Sequence, residues 1–163
     1  MKKSFGVALL LAVIGTHAHA TNSHQQNIVG KWQCHNENED MILNYTAEYH
    51  NNQQAIEKGT FDLKLDDVLF SYQLDSKSTY RIEGDQLIST LDDIRQFERK
   101  HSKQTLDQMQ ADELLADIDA LFGDSIYAAI GDESRFQIRT LDSKTLILHD
   151  DSDDSLITCQ RTK

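Results

Sequence analysis

Three groups of side chains in this chain have the types and spacing to do chemistry. The run His149-Asp150-Asp151-Ser152-Asp153-Asp154-Ser155 clusters carboxylates of the kind that hold a hard cation such as calcium. It lacks the loop glycine and the distal bidentate glutamate of an EF-hand, and it reads first as a solvated turn between two strands. The histidines His24, His35, His50, His101 and His149 are candidate ligands for a transition metal, but none stands at the short helical spacing of a zinc motif, so no metal site is expected. Cys34 and Cys159 would need a Cys-x-x-Cys neighbourhood to act as a redox pair, and neither has one.

No nucleophile elbow, phosphate loop, His-Glu-x-x-His run or Ser–His–Asp signature is present. With 27 acidic residues, some carboxylate pair always resembles a general acid and base, so abundance carries no weight. The expectation is a protein that is not an enzyme and needs no cofactor.

The elements that must position these residues begin after an export signal. Met1-Lys2-Lys3, an apolar run from Phe5 to Gly15 and Ala18-His19-Ala20 have the three-part form of a signal peptide over residues 1–20, cleaved after Ala20. The apolar run is shorter than the ~20 residues a membrane helix needs, so no membrane insertion is expected. A Gram-negative type of signal places the protein in the periplasm or outside the cell. Cleavage leaves 143 of the 163 residues, the size of one domain, with residues 21–27 as a disordered lead-in and 28–163 as the folded unit.

Loss of Lys2 and Lys3 leaves 14 basic residues against 27 acidic ones, a net charge of −13 for the mature chain. Such a field repels phosphate backbones and anionic headgroups, which excludes nucleic acid as a partner and favours a cationic protein.

From Ile28 to Leu91 apolar and polar residues alternate with period 2, the pattern of strands with one buried face. Met41, Leu43, Tyr45, Ala47 and Tyr49 share one face; Phe61, Leu63 and Leu65 share another; Val68, Phe70, Tyr72 and Leu74 a third. A two-residue turn at Asp66-Asp67 sets Leu65 opposite Val68 and Phe61 opposite Tyr72, and one at Gly84-Asp85 sets Ile82 opposite Leu87. From Lys103 to Phe122 the period changes to a helical one, with Leu106, Met109, Leu114, Leu115, Ile118, Leu121 and Phe122 on the apolar stripe. Gly123 is placed to stop that helix and Gly131 to end a short second one. Strands resume at Phe136, Ile138 and Thr140, followed by 145–149 and 156–161. The fold class expected is mainly β, an antiparallel up-and-down barrel of about eight or nine strands with a helical insertion at about 100–131.

The two cysteines lie near the ends of the mature chain, and in an oxidising compartment they are expected to bond. If the first and last strands pair antiparallel with Cys34 opposite Cys159, Trp32 falls opposite Arg161, and disulfide and cation–π stack share one register. Ile28-Val29-Gly30-Lys31-Trp32 resembles the Gly-x-Trp opening of lipocalin and calycin barrels, and Arg161 resembles the final-strand arginine that packs on that tryptophan. The mature chain is similar to small exported bacterial lipocalin-like proteins.

That resemblance implies a barrel that binds a small apolar or amphipathic ligand. The period-2 pattern sends Tyr45, Tyr49, Phe61, Phe70, Tyr72, Tyr80 and Phe136 to its interior. The alternative is a packed barrel that serves as a protein-interaction module: a periplasmic inhibitor, immunity or chaperone-like factor. One further conflict bears on the helix. A two-residue turn at Asp142-Ser143 would point Leu146 and Leu148 outward, to be covered by the helix on the barrel wall. A turn one residue longer would turn both inward and send the helix across the mouth.

Overall fold

The computed structural model describes residues 24–65, 67–108 and 113–163, with the side chains of residues 113 and 114 left out. The expected signal peptide over 1–20 lies outside the described residues, as do Asp66, Met109 and the side chain of Leu114. The alternating segments become eight strands: β1 (Gly30–Glu37), β2 (Met41–Tyr49), β3 (Gln54–Leu65), β4 (Val68–Glu83), β5 (Gln86–Arg99), β6 (Glu133–Leu141), β7 (Thr145–Asp150) and β8 (Ser155–Arg161). Each pairs antiparallel with the next, and β8 returns to β1, so the meander closes into a barrel with no free edge. A helical turn, α1 (24–28), precedes β1, and α2 (Lys103–Gln108) and α3 (Glu113–Ala128) lie between β5 and β6. No helix among the described residues is long and apolar enough to cross a membrane.

Two hairpins have the register that their turn chemistry dictates. Leu65 faces Val68, Leu63 faces Phe70 and Phe61 faces Tyr72 across β3–β4, while Ile82 faces Leu87 across β4–β5. Gly84 adopts a φ of +61°, the left-handed backbone that glycine enters without steric cost at the first turn position.

Closure is secured at one register on β1 and β8. Cys34 pairs with Cys159 and the two are disulfide-bonded; Trp32 pairs with Arg161, whose Cζ lies 4.2 Å from the indole centroid. The guanidinium also donates from Nη1 to the Val29 carbonyl at 2.7 Å and from Nη2 to that of Asn27. A side chain at residue 30 would occupy the space of the Nη1 atom, which is why glycine stands there. The indole Nε1 donates to Ile28 O at 2.7 Å, and Ile28 is fully buried. These contacts fold 24–28 against the barrel end, where the sequence suggests a disordered lead-in over 21–27.

Three local expectations are corrected. The β6–β7 connection is not a two-residue turn at Asp142-Ser143. Leu141 pairs with Leu146, Asp142 N donates to Thr145 O at 3.0 Å, and the Asp142 carboxylate accepts from the amides of Lys144 and Thr145 at 2.7 and 2.8 Å. A bulge between Ile138 and Thr140 takes up one more residue. Leu146 and Leu148 therefore face inward and are buried in the core.

The second correction concerns Gly123, which lies within α3 instead of ending it. A Cβ there would sit 3.4 Å from the Phe97 ring, so the small residue lets the helix approach β5. Gly131, at φ +94°, does end the helical segment. Third, Leu121 points to solvent at 74% exposure; the half-buried stripe of α3 that packs on the barrel is Leu115, Ile118, Phe122 and Ile126.

The apolar interior is in two parts. At the end closed by α1, Trp32, Tyr49, Tyr80, Leu87, Leu146 and Leu148 pack around the disulfide. At the other end, Phe61, Phe70 and Tyr72 pack against the α3 stripe together with Leu43, Leu63, Leu74 and Phe97. The helix thus lies over the mouth, not over the outer wall.

Candidate functional site

Beside the mouth cluster the barrel holds a half-open cavity of about 270 Å³ that reaches the β7–β8 turn. Met41, Leu43, Phe61, Leu74, Phe136 and Ile157 supply its apolar walls. Asn36 on β1, Tyr45 on β2, Glu57 on β3 and Ser76 on β4 bring polar groups to it with the inward parity of their strands, while Lys58 and Thr60 of β3 reach its edge from the opposite parity. Gly59 lies between Glu57 and Phe61 on the same face; a Cβ there would run into Asn44 and Tyr45 of β2, so glycine lets the two strands approach. Asp150, Asp153 and Ser155, at the β7–β8 turn, form the rim.

Glu57 dominates the electrostatics of this space. Ser76 Oγ donates to its Oε2 at 3.3 Å, the one hydrogen bond that the described residues give that carboxyl. Burial pushes the Glu57 carboxyl above the ordinary glutamate range, and the serine bond opposes this only in part. Burial likewise raises the Tyr45 and Tyr49 hydroxyls, and the nearby Glu57 carboxylate raises them further. The cavity wall therefore sets one neutral phenol, Tyr45, beside the poorly solvated Glu57 carboxyl, with the Tyr49 phenol behind it in the closed-end core.

The lid over the mouth is fixed by a polar network. Asp119 is the buried acid of α3, and its Oδ1 accepts from the Tyr72 hydroxyl at 2.8 Å. The backbone N–H of Ser71 donates to His101 Nδ1 at 3.1 Å, so Nδ1 carries no proton; Nε2 carries it and donates to Asp119 Oδ1 at 2.9 Å. Arg99 Nε stands 3.0 Å from Asp119 Oδ2, close enough to pair in charge but not aligned as a hydrogen bond. A stack of rings continues the contact: Tyr72 lies 5.1 Å from Phe61, 5.4 Å from Phe97 and 5.0 Å from Phe122 between centroids. At the start of α2, Ser102 Oγ accepts from the Thr105 amide at 3.0 Å and the buried Thr105 hydroxyl donates to Leu69 O, tying the segment to β4.

Of the aromatic residues expected in the interior, Tyr45, Phe61 and Phe136 line the cavity. Phe70 and Tyr72 are instead covered by the helical segment. Tyr49 and Tyr80 meet edge-on at 5.0 Å in the closed-end core, where the Tyr80 hydroxyl donates to His50 O. Trp32, Arg161, Cys34 and Cys159 hold the closure described above.

The acidic run is organised around an imidazole: His149 Nδ1 lies 2.8 Å from Asp151 and Nε2 lies 2.7 Å from Asp154. Those carboxylates raise the His149 pKa. Among the described residues no three His, Cys, Asp or Glu side chains are grouped so as to hold a metal ion.

Glu57, Asn36 and Ser76 are the site residues that an eye for aromatic side chains passes over. Their signal was parity. Each stands an even number of residues from an inward neighbour on its own strand: Phe61 for Glu57, Cys34 for Asn36 and Leu74 for Ser76. Compared with known proteins, the chain matches no protein-family model and no curated protein.

Proposed function

We propose that this protein is an exported, lipocalin-like binding protein, not an enzyme, and that it takes up one small apolar or amphipathic molecule in the barrel cavity. The observation that carries the reading is the cavity itself. At about 270 Å³ it lies just below the range typical of small-molecule sites, and its mostly apolar wall with a few convergent polar groups is the composition such sites share. The closed antiparallel barrel, with Trp32 under Arg161 at the closing strands, supports the likeness to lipocalins. The disulfide fits an oxidising, extracytoplasmic compartment, in keeping with the proposed signal peptide and periplasmic or secreted location. Native mass spectrometry of freshly purified protein, together with titration of fatty acids and hydrophobic dyes, tests the reading. Bound mass or saturable dye uptake supports it, whereas an empty and unresponsive barrel overturns it.

A second reading has its own observation. The outer surface of the lid segment exposes Leu121, Tyr127 and Ile130 beside a strongly acidic chain, a surface suited to a protein-interaction module with a cationic partner. Pull-down from a periplasmic extract at low and high salt separates the classes: a stoichiometric, salt-sensitive partner favours the module, and a clean eluate counts against it.

A further inference from the structure

The carboxyl inside the barrel narrows the ligand class. An aliphatic or aromatic molecule alone needs only the apolar wall, and the half-buried Glu57 works against it, because such a ligand would strip the remaining water from a carboxylate without pairing it. Among the described residues none supplies the pair. Besides Glu57 and Tyr45, the titratable groups lining the cavity are Lys58, Asp150 and Asp153. Lys58 is one residue out of parity with Glu57, and its ammonium lies 3.1 Å from Asp75 Oδ2 with 61% of the side chain exposed, so its charge is spent elsewhere. Asp150 and Asp153 add negative charge at the rim, where Asp153 accepts from the Ser155 amide and Asn38, and Asp150 accepts from Ser152. Tyr45 and Tyr49 are neutral phenols beside the carboxyl. The way in and the interior therefore share one sign, and both lie on a chain with a net charge of −11 that draws cations toward it.

We infer that the ligand is a cationic amphiphile, a small molecule with a protonated amine and a short apolar tail: the ammonium sits on Glu57 and the tail lies against Leu43, Phe61, Leu74 and Phe136. This inference rests on the proposed binding function and specifies its ligand. The ammonium supplies the donors that Glu57 lacks, beyond the single bond from Ser76. Binding forms a buried ion pair with no covalent change. Where Glu57 is protonated before binding, its proton is released to solvent as the amine enters.

Titration calorimetry with hexylamine, hexanol and hexanoate, three probes of like length and different head, tests this on the wild-type protein and on Glu57→Gln. The expected order in the wild type is amine over alcohol over carboxylate, with the amine about tenfold or more tighter than the alcohol, the least that a charge-assisted bond contributes. Glu57→Gln is expected to remove the amine preference while leaving hexanol binding in place. Equal binding of amine and alcohol by the wild type, or an amine preference that survives in Glu57→Gln, overturns this inference and leaves the ligand-binding reading standing. Failure of all three probes and of the dye panel overturns both. The wild-type comparison of heads is decisive even where the variant folds poorly.

Discussion

Removing the disulfide should reduce stability by an amount that the closed loop sets. Cys34 and Cys159 are 125 residues apart, and cross-linking a loop of that length removes chain entropy from the unfolded ensemble worth about 5 kcal/mol at room temperature. That is a large share of the roughly 5–15 kcal/mol by which a single domain is stable. The native fold should survive, because β1 still pairs with β2 and β8 and the Trp32–Arg161 stack holds the same register. The suitable variant is Cys34→Ala with Cys159→Ala, since serine hydroxyls at two buried positions would add a polar burial cost unrelated to the loop. In urea, with a slope of about 2 kcal/mol per molar, the midpoint should fall by about 2.5 M. Circular dichroism and tryptophan fluorescence should report one coincident transition, and reductant should reproduce the variant in the wild-type protein. A midpoint within a few tenths molar of the wild type would refute the account, because it would mean that the bond does not constrain the unfolded chain.

Three further outcomes are expected. Asp119→Ala removes the acceptor of two buried donors, the Tyr72 hydroxyl and His101 Nε2, at about 1–3 kcal/mol each, so amide exchange should accelerate in α3 while β1 and β8 keep their protection; uniform acceleration would show that the helix is not an independent lid. Leu146→Asp places an unpaired carboxylate in the fully buried core beside the disulfide and should cost about 4 kcal/mol or more; a near-neutral variant in urea unfolding would show that Leu146 does not face inward. The raised Glu57 pKa makes the folded state bind more protons than the unfolded one between the ordinary glutamate value and the shifted one. Its contribution therefore declines as pH rises through that window and levels off above it, and Glu57→Gln should lack this decline in melting curves compared with wild type.

Where the strands are regular, period-2 arithmetic carries from sequence to register without loss. Phe61 meets Tyr72, Ile82 meets Leu87 and Trp32 meets Arg161, because a two-residue turn or a cysteine pair sets the sum of paired residue numbers and nothing intervenes to change it. The arithmetic fails at β6–β7, where the Asp142 carboxylate captures two backbone amides and a bulge absorbs a residue. Both are local geometries that alternation does not encode, and together they reverse the facing of Leu146 and Leu148. Gly123 misleads for a different reason. Its intrinsic tendency to end a helix is overridden by the close approach of Phe97, a tertiary contact between residues 26 apart in the chain. In the cavity, parity was legible and polarity misled: Glu57 shares the face of Phe61, yet a charged residue on an inward face reads as an interruption of the pattern until the space in front of it is seen.

That space persists because of how the large side chains are distributed. An eight-stranded barrel is just wide enough for inward side chains to fill it, so a cavity needs a level where they are small or drawn aside. At the closed end Trp32, Tyr49 and Tyr80 fill the section. At the mouth, Phe61, Tyr72 and Phe97 turn to the helix, where Tyr72 stacks on Phe122 and the other two rings meet it at a tilt. The level between is crossed by Gly59 and Ser76, with Glu57 paired against Ala47 on one neighbouring strand and against Ser76 on the other. The helix is thus more than a cover. Its aromatic contact draws the large rings of β3 to β5 toward the mouth, and Phe61 belongs both to that contact and to the cavity wall. Any motion that lifts α3 from Phe61 changes the shape of the cavity, so helix and cavity are coupled through one shared ring rather than through a distant pathway.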